Sequence, residues 1–473
     1  MDRKWLTLLA VCTATFMLLL DITIVNVALP AIKNALNASF SDLQWVIDAY
    51  ALALATCVLT AGSLADLYGR KRLFIIGVVL FTIASALCGA ANDPLFLIIA
   101  RGLQGIGGAI MFATPLAIIS QEFHGRERGT AFGLWGATIG AAVAIGPLAG
   151  GALTDWLSWR WIFFVNIPIG IAAVLLSMRV LRESSDPEHS RLDPVGLVTL
   201  TIGLFCLILA LIEGNKRGWT SGVIIGLFVG AVVFLGLFIA SQATERTSMI
   251  DLSLFKRPAF DGAQTTAFSI SASMFAMFLY LTLYLQNILG LSPLATGVRF
   301  LPLSVVSFFA APLAGRLSAR VAVRYLLGFG LALNAIAMWL MSRVTPSSHW
   351  TVLLPGFVVG GIGIGFVNAP LASTAVSTVR VERAGMASGI NNTFRQLGIA
   401  TGIAGLGAIF SSKVDPRAFA PHPSAVASAS FVHGLHDILL VGAGTAAVGA
   451  VVAVVLIRPK DFLASGPQAE GAQ

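Results

Sequence analysis

The chain reads as an all-α integral membrane protein with fourteen spans, and three observations carry that reading. Hydrophobic residues make up 57% of the 473 residues and charged ones only 11%, with a mean hydropathy of +0.87. A soluble domain could not build a polar surface from that composition. Apolar runs of about 20 residues, the length a helix needs to cross a bilayer, recur at 5–30, 44–65, 73–91, 96–120, 131–153, 161–180, 195–213, 220–240, 264–288, 294–316, 323–341, 351–373, 393–412 and 437–457. Lys and Arg alternate between the gaps: with the amino terminus inside, inner segments hold 21 of the 30 and outer segments seven, the bias that marks cytoplasmic loops. Both termini are therefore expected in the cytoplasm and the spans in a cell inner (plasma) membrane. The spans are helices because only helices and closed barrels satisfy their backbone in lipid.

The first run follows Asp2, Arg3 and Lys4, as a signal peptide would. It is too long for an h-region and has no small-residue cleavage site, so it is expected to be span one. It carries Asp21 in the string LLLDITIVNVALP. A charge at that depth costs about 2.5–3.5 kcal/mol even on the mildest scales and persists mainly where it has a function. Span two carries Asp48 and ends in GSLADLYGRKR, residues 62–72. There Gly62 permits close helix approach, Asp66 can cap or pair at a helix end, and Arg70, Lys71 and Arg72 anchor in the inner leaflet. Span four opens as ARGLQGIGGA, with Arg101, Gln104, Gly105 and Gly107. Span five holds Gly133, Gly136, Gly140, Gly146, Pro147, Gly150 and Gly151; so many small residues let neighbouring helices approach closely, and the Gly-Pro step makes a bendable point.

A repeat divides the chain. Residues 61–77 and 314–330 align without gaps, pairing Gly62 with Gly315, Leu64 with Leu317, Lys71 with Arg324 and Leu73 with Leu326, while Ala319 stands opposite Asp66. Internal repeats are a mark of transporters. Two six-helix bundles, 1–185 and 263–473, are expected, with two extra transmembrane helices linking them in 186–262.

GSLADLYGRKR resembles the loop motif of the major facilitator superfamily, and ARGLQGIGGA is similar to that superfamily's span-four motif, implicated in proton coupling. GPLAGG, containing Gly146, Pro147, Gly150 and Gly151, resembles the antiporter motif of its drug exporters; Ala142 departs from it, where an earlier glycine is usual. LDITIVNVALP at 20–30 and WRWIFFVNIPIG at 159–170 look like the 14-span drug:proton antiporter family, a multidrug efflux group. The resemblance runs over essentially the whole chain. It implies a major facilitator fold with two extra central helices, alternating access, a gating motif at Gly62, Asp66, Gly69, Arg70 and Arg72, and export of drugs in exchange for protons.

Elimination narrows the proton carrier. The six histidines fall in loops or at span ends, and only Asp21 and Asp48 among the carboxylates sit well inside spans. At about 1.5 Å per residue, Asp48 and Arg101 share a depth slightly outward of Asp21. Asp21 is expected to exchange the proton, with Asp48 and Arg101 tuning it; the alternatives are a solvated Asp48 and a snorkelling Arg101. Candidate substrate contacts are Asp21, Asp48, Asn26, Gln104 and Tyr284. Arg395 is read as a cytoplasmic anchor at the mouth of span thirteen. With buried acids and no balancing charge in the C-terminal half, the substrate is expected to be a lipophilic cation, a drug or related metabolite.

Other classes are weaker. A uniport or symport carrier for a nutrient, or a dedicated metabolite or lipid exporter, would share the fold, but the nutrient carrier and the lipid exporter should not need GPLAGG. No gap is large enough for a catalytic domain and no pore-lining polar ring is visible, which disfavours an enzyme or a channel. The cysteines Cys12, Cys57, Cys88 and Cys206 lie in spans without paired spacing, so no metal, disulfide or cofactor is expected. The net charge of +8 reflects topology and anionic lipid, not nucleic acid. The partners expected are the lipophilic substrate, protons and membrane lipids, for a monomer. The Ala-, Ser- and Pro-rich segment 411–437 is expected to lack regular order.

Overall fold

The computed structural model describes residues 2–185, 193–244, 250–318, 320–380, 383–415, 418 and 424–458. The first part comprises α1 (Arg3–Leu36), α2 (Phe40–Tyr68), α3 (Arg70–Ala90), α4 (Pro94–Ala113), α5 (Pro115–Glu122), α6 (Gly125–Trp156), α7 (Trp161–Phe164) and α8 (Asn166–Val180). Then come α9 (Pro194–Arg217) and α10 (Gly222–Thr244). The last part comprises α11 (Pro258–Ile270), α12 (Ala276–Leu283), α13 (Pro293–Leu317), α14 (Val323–Met341), α15 (Leu354–Ser377), α16 (Ala384–Ser411) and α17 (Ala425–Leu456).

Local chemistry places the helix ends. Ser39 and Asp42 form a reciprocal capping box on α2, and Asp93, Asp193 and Ser292 each accept from a first-turn N–H ahead of a proline at the first helical position. These are the residues that satisfy the orphan donors of a helix start. Gly69, at φ +107°, turns the chain between α2 and α3. Two π-helical segments, Ser271–Phe275 and Tyr284–Ile288, flank α12.

Apolar packing sorts these helices. One core gathers α11–α17, from Ala263 to Ile457. A second, built mainly from α1–α6 and α8 between Leu8 and Leu181, also takes in Ala372 and Val376 of α15 and Ala384 of α16. A separate cluster joins Leu52 and Leu59 of α2, Leu200 and Ile208 of α9, Phe238 of α10 and Ile390 of α16. Thr60 meets Thr201 at 3.3 Å, and Asn215 Nδ2 donates to Ala404 O at 2.8 Å. Helix α9 is thus packed on both α2 and α16.

Twelve helices among the described residues are long and apolar enough to cross a membrane, not fourteen. The expected spans at 131–153 and 393–412 are long helices, α6 and α16, but neither is in that set. For α16 the physical reason is composition: Asn391, Asn392, Arg395 and Gln396 fall within two turns of the helix. The segment 411–437 is also corrected, because α17 begins at Ala425. His433 and His436 therefore stand in a helix rather than a loop.

The first and last groups of helices meet through two equivalent glycine contacts. A Cβ on Gly62 of α2 would fall on the Gly385 carbonyl at the start of α16, and a Cβ on Gly315 of α13 would fall on the Gly129 carbonyl at the start of α6. The aligned glycines of the repeat thus make the same kind of contact. Ala319, aligned with Asp66, lies outside the described residues.

Candidate functional site

Asp21 stands on α1 with 0% of its surface exposed. Three donors converge on its carboxylate. Arg101 Nη1 of α4 donates to Oδ2 at 2.6 Å, while Gln104 Nε2 of α4 and Asn166 Nδ2 of α8 donate to Oδ1 at 2.9 and 3.0 Å. Arg101 is only 2% exposed. It also donates to Gln104 Oε1 at 2.7 Å and to Val46 O at 3.2 Å, and its guanidinium lies 4.1 Å from the centre of the Tyr50 ring. Asn166 Nδ2 reaches Ser85 Oγ at 3.0 Å, and Ser85 in turn donates to Phe163 O at 2.9 Å.

The network joins α1, α2, α3, α4, α7 and α8, and its formal charges cancel. A buried pair of this kind is costly to break from one side, about 3–5 kcal/mol, because the survivor is left as an unpaired buried charge. Two polar atoms beside it, Tyr50 Oη and Asn166 Oδ1, have no hydrogen-bond partner among the described residues. Buried polar atoms are rarely left so; these two are available to a water or a substrate group.

The expected trio is only partly assembled. Arg101 and Gln104 touch Asp21, but Asp48 does not. It is half-buried on another face of α2, within electrostatic reach of Glu213 and Lys216 of α9. Depth along the bilayer was legible in sequence and helix rotation was not, so equal depth did not mean contact. Tyr284 is fully buried in the core of the C-terminal helices and donates to Thr345 O at 3.1 Å, away from Asp21. A shallow cleft of about 370 Å³ beside Thr345, lined also by His433, His436 and Asp437, shares no residue with the Asp21 network. The side chains of Asn26 and Pro147 lie outside what the structure describes. Asn166, Ser85 and Tyr50 were missed. The one sequence signal for Asn166 was its place in WRWIFFVNIPIG, a string read for resemblance and not for its polar member.

The span-five glycines hold α6 against the helix that carries Asp21. A Cβ on Gly146 would collide with the Thr23 hydroxyl, and one on Gly150 would approach Ile24 Cγ1 to 2.9 Å. Both contacts fall within a turn of Asp21. Gly151 has only ordinary room, with Leu294 at 3.6 Å, and so do Gly136 and Gly140. Ala142 is fully buried; its methyl is accommodated where the resemblance led to expect glycine.

At the end bearing the Gly69 turn, Asp66 bridges the two groups of helices. Its Oδ1 accepts from Arg70 Nε and Nη2 at 2.9 and 2.8 Å and from Gly385 N at 3.0 Å, while Oδ2 accepts from Met386 N at 2.7 Å. A carboxylate here meets the free N–H groups and positive dipole end of α16. Glu183 does the same for α3, accepting from Lys71 N and Arg72 N at 3.1 Å each. Asn392 Nδ2 of α16 adds a bond to Phe112 O of α4 at 2.8 Å. The two groups are therefore latched at this end.

The general family model of the Major Facilitator Superfamily matches residues 11–403. This chain belongs to that superfamily. It is 36% identical over 408 residues to the multidrug resistance protein Stp of Mycobacterium tuberculosis, covering 86% of this chain and 76% of that protein. It is 35% identical over 462 residues to the puromycin resistance protein pur8 of Streptomyces alboniger, covering 96% and 92%, and 32% identical over 413 residues to the tetracenomycin C resistance and export protein of Streptomyces glaucescens, covering 87% and 77%. The crystal structure of the human organic anion transporter MFSD10 superposes with a TM-score of 0.67, covering 96% of this chain and 100% of that one at 14% identity, which shows the fold. The chain is a multi-pass major facilitator transporter and not an enzyme.

The C-terminal helices also hold a charge that the sequence placed wrongly. Arg395 is not an anchor at a span mouth, because α16 starts at Ala384 and Arg395 stands three turns inside it, only 7% exposed. It donates through Nη1 to Asn368 Oδ1 of α15 at 3.0 Å and through Nε to Asn391 Oδ1 at 3.4 Å.

Proposed function

We propose that this superfamily member is a proton-coupled antiporter that exports lipophilic drugs or related metabolites by alternating access. The observation that carries the reading is the Asp21 network: a fully buried carboxylate paired with Arg101, on a helix clasped by Gly146 and Gly150. In the latched arrangement Arg101 pairs with the Asp21 carboxyl group. A proton taken from the outer side neutralises the carboxylate and frees the guanidinium, and the changed charge favours the opposite arrangement. Release of that proton on the inner side restores the pair. The Asp66 latch on α16 is the contact that must open in between, and 1–185 and 263–473 are the two rocking halves, with 186–262 packed at their seam.

The same reading takes α6 and α16 as the remaining two of fourteen spans. Each exceeds the roughly 20 residues a span requires, and the polar side chains of α16, Asn391, Asn392 and Arg395, are buried in protein, where membrane helices keep such groups. The basic loops put both termini in the cytoplasm and the chain, as a monomer, in the plasma membrane. Arg395 removes the premise behind a preference for cations; lipophilicity is the property that remains. Relatives named for single antibiotics favour a second reading, a dedicated exporter of one metabolite.

Uptake of neutral, cationic and anionic fluorescent lipophilic dyes into inside-out vesicles, with and without an acidic lumen, tests this. Accumulation of at least one dye that requires the gradient and is lost in Asp21→Asn is expected. Gradient-dependent accumulation that survives in Asp21→Asn would sink the role given to Asp21, and transport of none would leave the dedicated exporter.

A further inference from the structure

Membrane interiors tolerate a charge poorly unless it is paired or used. Arg395 is buried, yet no carboxylate among the described residues pairs with it; its partners are the neutral amides of Asn368 and Asn391. The orientation of the surrounding amides then follows by necessity. A guanidinium only donates, so Asn368 and Asn391 must turn their oxygens to Arg395. Asn391 is left to present its Nδ2, which donates to Gln264 Oε1 of α11 at 3.2 Å. Gln264 is therefore left with its Nε2, and that buried atom, in a residue 1% exposed, has no partner among the described residues. Arg395 Nη2 makes no hydrogen bond there either.

The side-chain oxygens of Asn368, Asn391 and Gln264 are all used within the cluster, which leaves donors around one positive charge; the neighbouring Asn392 Oδ1 also has no partner among the described residues. Adjacent Asn392 reaches across to Phe112 of α4, which sets this stretch of α16 at the seam where the N- and C-terminal helices meet. We propose that Arg395, with Gln264 and Asn368, forms a subsite for an anionic, oxygen-bearing group of the substrate, a carboxylate or an acidic enol or phenol on a lipophilic body. The inference rests on the exporter reading and deepens it: the N-terminal network handles the proton, and the C-terminal one recognises acceptor oxygens.

Equilibrium binding to the purified full chain in detergent tests this without any gradient. The probes are pyrenebutyrate, a lipophilic carboxylate, and its methyl ester, which keeps the body and loses the charge. Wild type is expected to bind the acid about 10-fold or more tighter than the ester, the scale of a charge-assisted hydrogen bond. Arg395→Gln should erase that ratio and leave ester binding within about twofold, and Arg395→Lys should keep part of it. Gln264→Leu should weaken the acid alone by several-fold, and it decides the matter should Arg395→Gln fail to fold. Equal binding of both probes by wild type, binding of neither, or an equal loss of both in the variants overturns the subsite. Gradient-driven dye uptake alongside any of these results leaves the exporter reading standing; its absence alongside a tenfold acid preference has the opposite meaning.

Discussion

The two buried polar networks of this transporter are alike in parts and unlike in balance. Asp21 and Arg101 cancel, and three donors complete the carboxylate. Among the described residues Arg395 donates only to amide oxygens, and Gln264 Nε2 of the same cluster has no partner. A balanced pair suits a group that must give and take a proton, because changing one partner's charge unsettles the other. An unbalanced cation suits a group that waits for a ligand. The repeat relates the scaffolds of the two halves, as the Gly62–Gly385 and Gly315–Gly129 contacts show, while the charged residues set into those scaffolds differ.

Breaking the balanced pair should have the largest effect. Asp21→Asn is expected to abolish gradient-driven transport, by about 100-fold or more, and to lower stability by about 3–5 kcal/mol because Arg101 is stranded. Adding Arg101→Gln should recover much of the stability, seen in thermal unfolding, without recovering transport. A double variant as unstable as the single one would show that the pair is not what holds this region.

The scaffold comparison comes next. Gly62→Val and Gly315→Val each push a side chain onto a backbone carbonyl of the other group of helices, a clash of about 1–3 kcal/mol. Both should reduce transport by a similar factor, about 10-fold, and raise cysteine labelling at the latched end. Unequal effects would place the weight on one contact only. Asp66→Asn should be milder, about 1–2 kcal/mol for the lost charge at the α16 start, because Arg70 is not left without a partner, and is read as faster hydrogen exchange at Gly385 and Met386. Asp48→Asn should be the smallest. Outside the Asp21 network, it is expected to change transport within about twofold.

Much of the fold was legible because hydropathy and the basic loops report on lipid, and lipid imposes helices of fixed length. At α16 the apolar run began late, because Asn391, Asn392 and Arg395 are buried against protein and put amides and a charge where lipid would demand aliphatics. Asp21, Arg101 and Gln104 were legible as charge and amide at membrane depth. The contact of Asn166 with Asp21 and the separation of Asp48 from it were not legible for one reason: depth follows from counting residues, whereas the face of a helix follows from packing. Arg395 was misplaced because the helix starts at Ala384, nine residues before the apolar run that marked it.

The most direct measurement is proton release on substrate binding. Purified protein in weakly buffered detergent solution would be mixed with a dye that the vesicle assay has shown to be transported, and the pH followed. Wild type should release protons as the dye binds, while Asp21→Asn binds the dye and releases none. Equal release from both proteins would contradict the assignment of the exchanged proton to Asp21.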